Sequence, residues 1–138
     1  MEVKKSEFSF LEFLIEESSI SRKPLDEKGK LSIDIMPYGI IDKSKNVFQL
    51  RLDVRVNESN DRFKSNIVAI GLFLFNEISD ASSLPDYFLI NAPAIMFPYI
   101  RSYISALTAL SGMEAINLPL VRMANLAEKL KENITEVE

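Results

Sequence analysis

A chain of 138 residues with a formal net charge of -4 is long enough to bury about two-thirds of its unfolded surface in one domain and too short for a two-domain enzyme. The mild acidity and the lack of a basic stripe exclude recognition of a nucleic-acid backbone, which needs clustered Lys and Arg. With no cysteine and no histidine, disulfides, thiolate nucleophiles and the commonest metal ligand and general base are excluded as well.

Lys4 and Lys5 followed by an apolar run give the N-terminus the look of a signal peptide. Glu12 interrupts that run, however, and no small-residue cleavage pattern follows. No stretch is long enough to span a bilayer, so a cytoplasmic location is expected. Residues 8–20 are ambiguous, because Phe10, Phe13, Leu14 and Glu17 are spaced to suit a helix as well as a strand. Leu31, Ile33 and Ile35 then alternate with Ser32 and Asp34, predicting a strand that ends near residues 37–39. Residues 42–46 form a polar connection of hairpin length.

The clearest strand is predicted over 47–56. Phe48, Leu50, Leu52, Val54 and Val56 alternate there with Gln49, Arg51, Asp53 and Arg55, so one face meets a core and the other meets water. After a turn at 57–61, residues 66–75 differ: Ile67, Ala69, Phe73 and Phe75 point one way, Val68, Ile70, Leu72 and Leu74 the other, and both faces want cover. The successive hairpins make an antiparallel meander. Gly71 in mid-strand marks a bulge or a close backbone approach, with an accident of packing about as good an account.

Turn formers fill 80–85, and a long helix follows up to Leu110. Asn91 is placed to cap it, and Pro93 fits its first turn. Pro98 lies too deep for that, so the helix either begins near Phe97 or is kinked there. Met96, Ile100, Tyr103, Leu107 and Leu110 form one apolar stripe, and Ile95, Tyr99, Ala106 and Ala109 form another. Such a helix has no wet face and needs cover on two sides, the second of which can come from another subunit. Ser111-Gly112 ends it. A second helix is predicted over 119–131 with Leu120, Met123, Ala127 and Leu130 on one face, and the acidic tail after Glu132 is expected to be unstructured.

Catalytic chemistry is scarce. Ser-His-Asp and Cys-His arrangements are impossible, and no Gly-rich phosphate loop follows a strand. Asp34 and Asp53 could meet on neighbouring strands, but solvated carboxylates pairing with Arg51 or Arg55 are the better account of them. No enzyme activity, cofactor or metal is expected. Apolar surface exceeds the needs of one core, although any single residue such as Phe73 or Met123 reads more readily as plain core than as binding surface.

Phe97-Pro98-Tyr99-x-Arg101, then Ile104, the Ser111-Gly112 break, and Ile116-Asn117-Leu118 running through Val121 to Leu126 resemble the SecB family of protein-export chaperones. The resemblance extends from about Phe8 to Leu130. It implies an α+β fold in one domain spanning residues 1–138, with an ordered core over about 7–132. A four-stranded antiparallel sheet, a meander with a crossover after the first strand, packs there with two C-terminal helices. The ambiguous segment 8–20 becomes the first strand. Sheets pair into dimers, and two dimers sandwich the long helices into a homotetramer with Met96, Tyr99, Ile100, Tyr103 and Leu107 at the oligomer interface.

The same resemblance implies an ATP-independent holdase for unfolded polypeptides or preproteins, which are passed to the SecA motor in export. The client groove carries over onto Pro24 and Leu25 of the crossover, opposite Leu118, Leu120, Val121, Met123 and Leu126. Met113 and Met123 are flexible side chains suited to promiscuous binding. The sequence also departs from the family: Met113-Glu114 stands where Phe-Pro is usual, Pro119 precedes the family's proline position by one, and Arg22 stands where the SecA-docking face carries an acid. Glu16 and Glu17 lie nearby, but the reversed charge argues against SecA docking. Three functions stay open: a general holdase, a dedicated chaperone of one client such as an antitoxin, and an oligomeric protein that binds a small ligand.

Overall fold

The computed structural model describes residues 8–24 and 27–137. The alternating segments become strands β1 (Phe8–Arg22), β2 (Leu31–Asp42), β3 (Val47–Glu58) and β4 (Phe63–Phe75), followed by a 3-10 turn at Ala81–Ser83, helix α1 (Asp86–Leu110), helix α2 (Met123–Glu132) and a short strand β5 (Ile134–Val137). The strand order is β1-β4-β3-β2-β5. β2, β3 and β4 are the predicted antiparallel meander, and the crossover returns the chain so that β1 lies antiparallel on the β4 side.

The hairpins turn where short polar side chains permit it. The Asp42 carboxylate accepts from the Ser44 hydroxyl at 2.7 Å and from the Ser44 amide at 3.1 Å. Asn46 (φ 56°) and Asp61 (φ 59°) take the left-handed conformation that their side chains tolerate best after glycine.

One face of the sheet carries both helices. Phe48, Leu50, Leu52, Val54 and Val56 of β3 are buried there with Ile67, Ala69, Phe73 and Phe75 of β4. Phe88 of α1 is the central side chain: its ring meets those of Phe8 (4.8 Å), Phe48 (5.0 Å), Phe73 (5.4 Å) and Phe75 (4.8 Å) edge to face. Gly71 marks a close approach and not a bulge. A Cβ there would stand 2.6 Å from Met96 Sδ, and the β3–β4 register runs unbroken through it.

β1 looked ambiguous because its period is broken. Its pairing with β4 shifts between Phe10 and Glu12 and again between Ile15 and Glu17. Each shift inserts one extra residue, so the residues opposite the helix-facing positions of β4 run Phe8, Phe10, Phe13, Ile15, Ser18, Ile20 and Arg22, with two steps of three among them. A step of three also belongs to a helix, and single-chain propensity cannot tell the two apart.

Four expectations are corrected. β2 does not end near residues 37–39 but runs to Asp42. Pro37 is tolerated because its strand has an outer edge at that point, and Gly39 leaves room for the Phe48 ring, whose Cζ an added Cβ would strike. Helix α1 starts at Asp86, not near Asn91 or Phe97; Pro85 is its N-cap, and Pro93 and Pro98 both lie inside it. Each internal proline costs about 3 kcal/mol. The added turns bury Phe88, Leu89 and Ala92, and each of the two large side chains contributes about 1.5–3 kcal/mol, so burial offsets much of the cost.

Helix α2 begins at Met123, four residues later than expected, with Leu126, Ala127 and Leu130 buried. Pro119 disfavours helix at Leu118, and Leu118 is buried in the core from a segment without regular secondary structure. Finally, Ile134–Val137 form a strand where an unstructured tail was expected. β5 runs parallel to Gly39–Asp42 of β2, Asn133 donates its side-chain amide to the Pro37 carbonyl at 3.1 Å, and Lys43 pairs with Glu136 at 3.3 Å. A free strand edge, together with the β-branched Ile134, Thr135 and Val137, suffices to form this strand despite the acidic composition.

Candidate functional site

The crossover after β1 is tied down at both ends. The Lys23 amide donates to the Arg62 carbonyl at 2.8 Å, and Ser59 and Lys30 exchange two bonds, Ser59 N–H to the Lys30 carbonyl (2.9 Å) and Lys30 N–H to the Ser59 hydroxyl (3.1 Å). Glu58 is 3% exposed and accepts from the Gly29 amide at 2.8 Å and from Arg62 Nε at 2.9 Å. A buried carboxylate is retained where its charge is paired and its oxygens are bonded, and both conditions hold here. A Cβ on Gly29 would stand 2.6 Å from Ser59 Oγ, so glycine permits this approach.

The segment after α1 is held from within. Thr108, fully buried, donates its hydroxyl to the Ile104 carbonyl at 2.8 Å and accepts from the Ile116 amide at 2.9 Å. Gly112 takes φ 86°, a left-handed conformation suited to glycine. These constraints turn residues 112–117 back toward the crossover.

Between the two segments lies a cleft of about 570 Å³. Pro24, Leu31, Met113, Ala115 and Ile116 supply its apolar lining, and Arg22, Lys23, Lys28, Arg62, Glu58 and Glu114 its charges. Two contacts span it. Arg22 Nη1 donates to the Gly112 carbonyl at 3.3 Å, and Lys28 pairs with Glu114 at 2.5 Å. The Lys28 ammonium holds the Glu114 carboxyl below the usual range. Both side chains are largely exposed, so the bridge adds little stability and opens readily.

The residues expected to form one groove are separated. Pro24 lines the cleft, and Leu25 lies outside the described residues. Leu118 and Leu126 are buried in the core, Val121 and Met123 are partly buried against it, and Leu120 is 87% exposed away from the cleft. The wall facing the crossover is made instead by Met113 to Asn117, of which only Met113 was singled out as flexible binding surface. Leu31, Ile116 and the four cations were missed. The available signal was the Ser111-Gly112 break, which places a reversing loop next to Met113.

The interface residues divide as well. Met96 and Ile100 are fully buried against the chain's own sheet. Tyr99 is 50% exposed and stacks on Phe13 at 5.0 Å, while Tyr103 and Leu107 are half-buried. The Tyr103 hydroxyl lies 2.6 Å from Ser18 Oγ, linking α1 to β1. Tyr87, Ile90 and Leu110 extend the apolar outer surface of the helix. A second, open cleft of about 530 Å³ runs beside it, lined by residues including Pro98, Ser102, Ala106 and Ala109.

Asp34 and Asp53 form no catalytic pair. Asp34 is opposite Arg55 across the β2–β3 ladder, and Asp53 accepts from Arg51 at 2.7 Å. Among the described residues no group of three acidic or other ligating side chains is placed to hold a metal ion. No described helix is long and apolar enough to cross a membrane.

The sheet and the long helix fix two loops around a preformed, partly apolar cleft. The family model described as preprotein translocase subunit SecB matches residues 19–133, and the chain belongs to the SecB family, a family of non-enzymatic chaperones. An uncharacterised protein of Methanocaldococcus jannaschii is 29% identical over 118 residues, covering 80% of this chain and 76% of that one. The SecB-like chaperone of Mycobacterium tuberculosis, solved in complex with a ChAD peptide from the HigA1 antitoxin, superposes with a TM-score of 0.71 at 17% identity, covering 83% of this chain and 91% of that one. That likeness is one of fold: four main antiparallel strands and two C-terminal helices.

Proposed function

We propose that this chain is an ATP-independent holdase that binds extended segments of unfolded polypeptide in the cleft between the crossover and residues 112–117. The observation that carries this reading is the cleft itself: a groove with hydrogen-bonded walls in which Pro24, Leu31, Met113 and Ile116 form an apolar patch beside a charged lining, with no metal-holding cluster among the described residues. Preformed walls lower the ordering cost of binding, and an open groove accepts many side chains because each contact is weak. The exposed outer surface of α1 supports a homotetramer in which several clefts act on one client and multiply the affinity.

A dedicated chaperone of one client, such as an antitoxin, is the second reading, and the peptide complex of the Mycobacterium tuberculosis relative favours it. Arg22 bears on the export role. Its guanidinium turns to the Gly112 carbonyl in the cleft and contributes no negative charge to a docking face for SecA, so the holdase reading does not depend on SecA.

The cleft is tested by exchanging apolar lining for charge. Met113→Asp with Ile116→Asp is expected to weaken binding of a permanently unfolded client by about tenfold or more. Leu120→Asp, outside the cleft, is expected to leave binding within about twofold. Fluorescence titration reads both, with circular dichroism and assembly mass as controls. Full affinity in the folded double variant would overturn the assignment of the cleft.

A further inference from the structure

The charge of the cleft is opposite to that of the chain. Overall the protein is acidic, with a net charge of -4, yet the cleft is lined by four cations and two carboxylates. The two carboxylates are engaged: Glu58 is buried and bonded to Arg62 and the Gly29 amide, and Glu114 is bridged to Lys28. Arg22 and Lys23 are exposed and have no carboxylate partner among the described residues. Arg22 has five N–H donors, and the Gly112 carbonyl takes one of them. The remainder of its fork matches the geometry of a carboxylate.

We propose that the cleft selects client segments in which acidic side chains flank the apolar residues, with Arg22 and Lys23 as the specificity-determining positions. This rests on the reading of the cleft as the client site. The apolar lining takes the hydrophobic side chains, and the cations beside it take the neighbouring Asp or Glu. The exposed Lys28–Glu114 bridge adds a third donor position, since a client carboxylate can replace that of Glu114 on Lys28 at little cost. A segment flanked by Lys or Arg meets repulsion at the same positions, and like-charge juxtaposition is what rejects a wrong partner.

The test uses three dye-labelled peptides that share one apolar segment and differ only in flanks of Asp/Glu, Ser/Asn or Lys/Arg. Their affinities for the intact assembly are read by anisotropy at about 0.02 M and about 0.5 M salt. The acidic peptide is expected to bind about fivefold to tenfold more tightly than the basic one at low salt. That preference should shrink toward unity at high salt, and the Arg22→Gln/Lys23→Gln variant should reduce it to less than about twofold. Equal binding of the three, or a preference for the basic one, would overturn the charge selection and leave the cleft standing as the client site. Binding of none, including the neutral peptide, would overturn both.

Discussion

Replacing Phe88 by alanine is expected to lower the unfolding free energy by about 3–5 kcal/mol, the range for truncating a fully buried aromatic side chain. Its ring is wholly buried and makes edge contacts with four other phenylalanines. Those four come from β1, β3 and β4, so the deletion opens a void where three strands and the first turn of α1 meet. Single domains have only about 5–15 kcal/mol to lose. Urea denaturation at fixed chain concentration measures the effect, since assembly contributes to the apparent stability. Phe88→Leu, which retains most of the apolar volume, is expected to lose clearly less. A loss under about 1 kcal/mol for alanine would contradict the central place given to this side chain.

Placing aspartate at Tyr99 and Leu107 together is expected to dissociate the assembly while leaving each protomer folded. Tyr99 is half exposed and Leu107 half-buried in the protomer, so a charge there remains solvated in a single chain. Covered by a second subunit, the same charge is buried without a partner, a penalty of several kcal/mol that symmetry repeats at every copy of the contact. Tyr99 stacks on Phe13 and the Tyr103 hydroxyl contacts Ser18 within the protomer, so Leu107→Asp alone is the control that separates assembly from folding. Light scattering after size exclusion should show a mass below that of the proposed tetramer, with unchanged circular dichroism. An unchanged mass would remove the outer surface of α1 from the interface.

Much of the sheet was legible because one physical rule dominates it. β3 alternates without interruption, and each apolar residue the pattern placed inward, from Phe48 to Val56, is buried. The two-sided character of β4 was legible too: α1 covers one side, and Leu72 and Leu74 remain partly open on the other. What failed was local reasoning about residues that tertiary contacts override. Two bulges gave β1 a helical spacing, the burial of Phe88 and Leu89 carried α1 through two prolines, and an open edge of β2 drew Ile134–Val137 into the sheet.

The site divides along the same line. Pro24 lines the cleft, and its place in the crossover follows from the order of the strands. Residues 118–126 lie outside that cleft, whose other wall is placed by the bond from the Ile116 amide to the Thr108 hydroxyl. No periodicity encodes that contact. The four cations of the cleft are scattered between Arg22 and Arg62 and form no stripe in the sequence; the crossover and the β3–β4 hairpin bring them together.

The most direct test of the account is to dilute a chemically unfolded, slow-folding protein out of denaturant in the presence of this chaperone, without ATP, and follow light scattering. Suppression of aggregation at about one tetramer per client chain is the predicted result. Unchanged scattering of a range of unfolded clients at several-fold excess would contradict a general holdase.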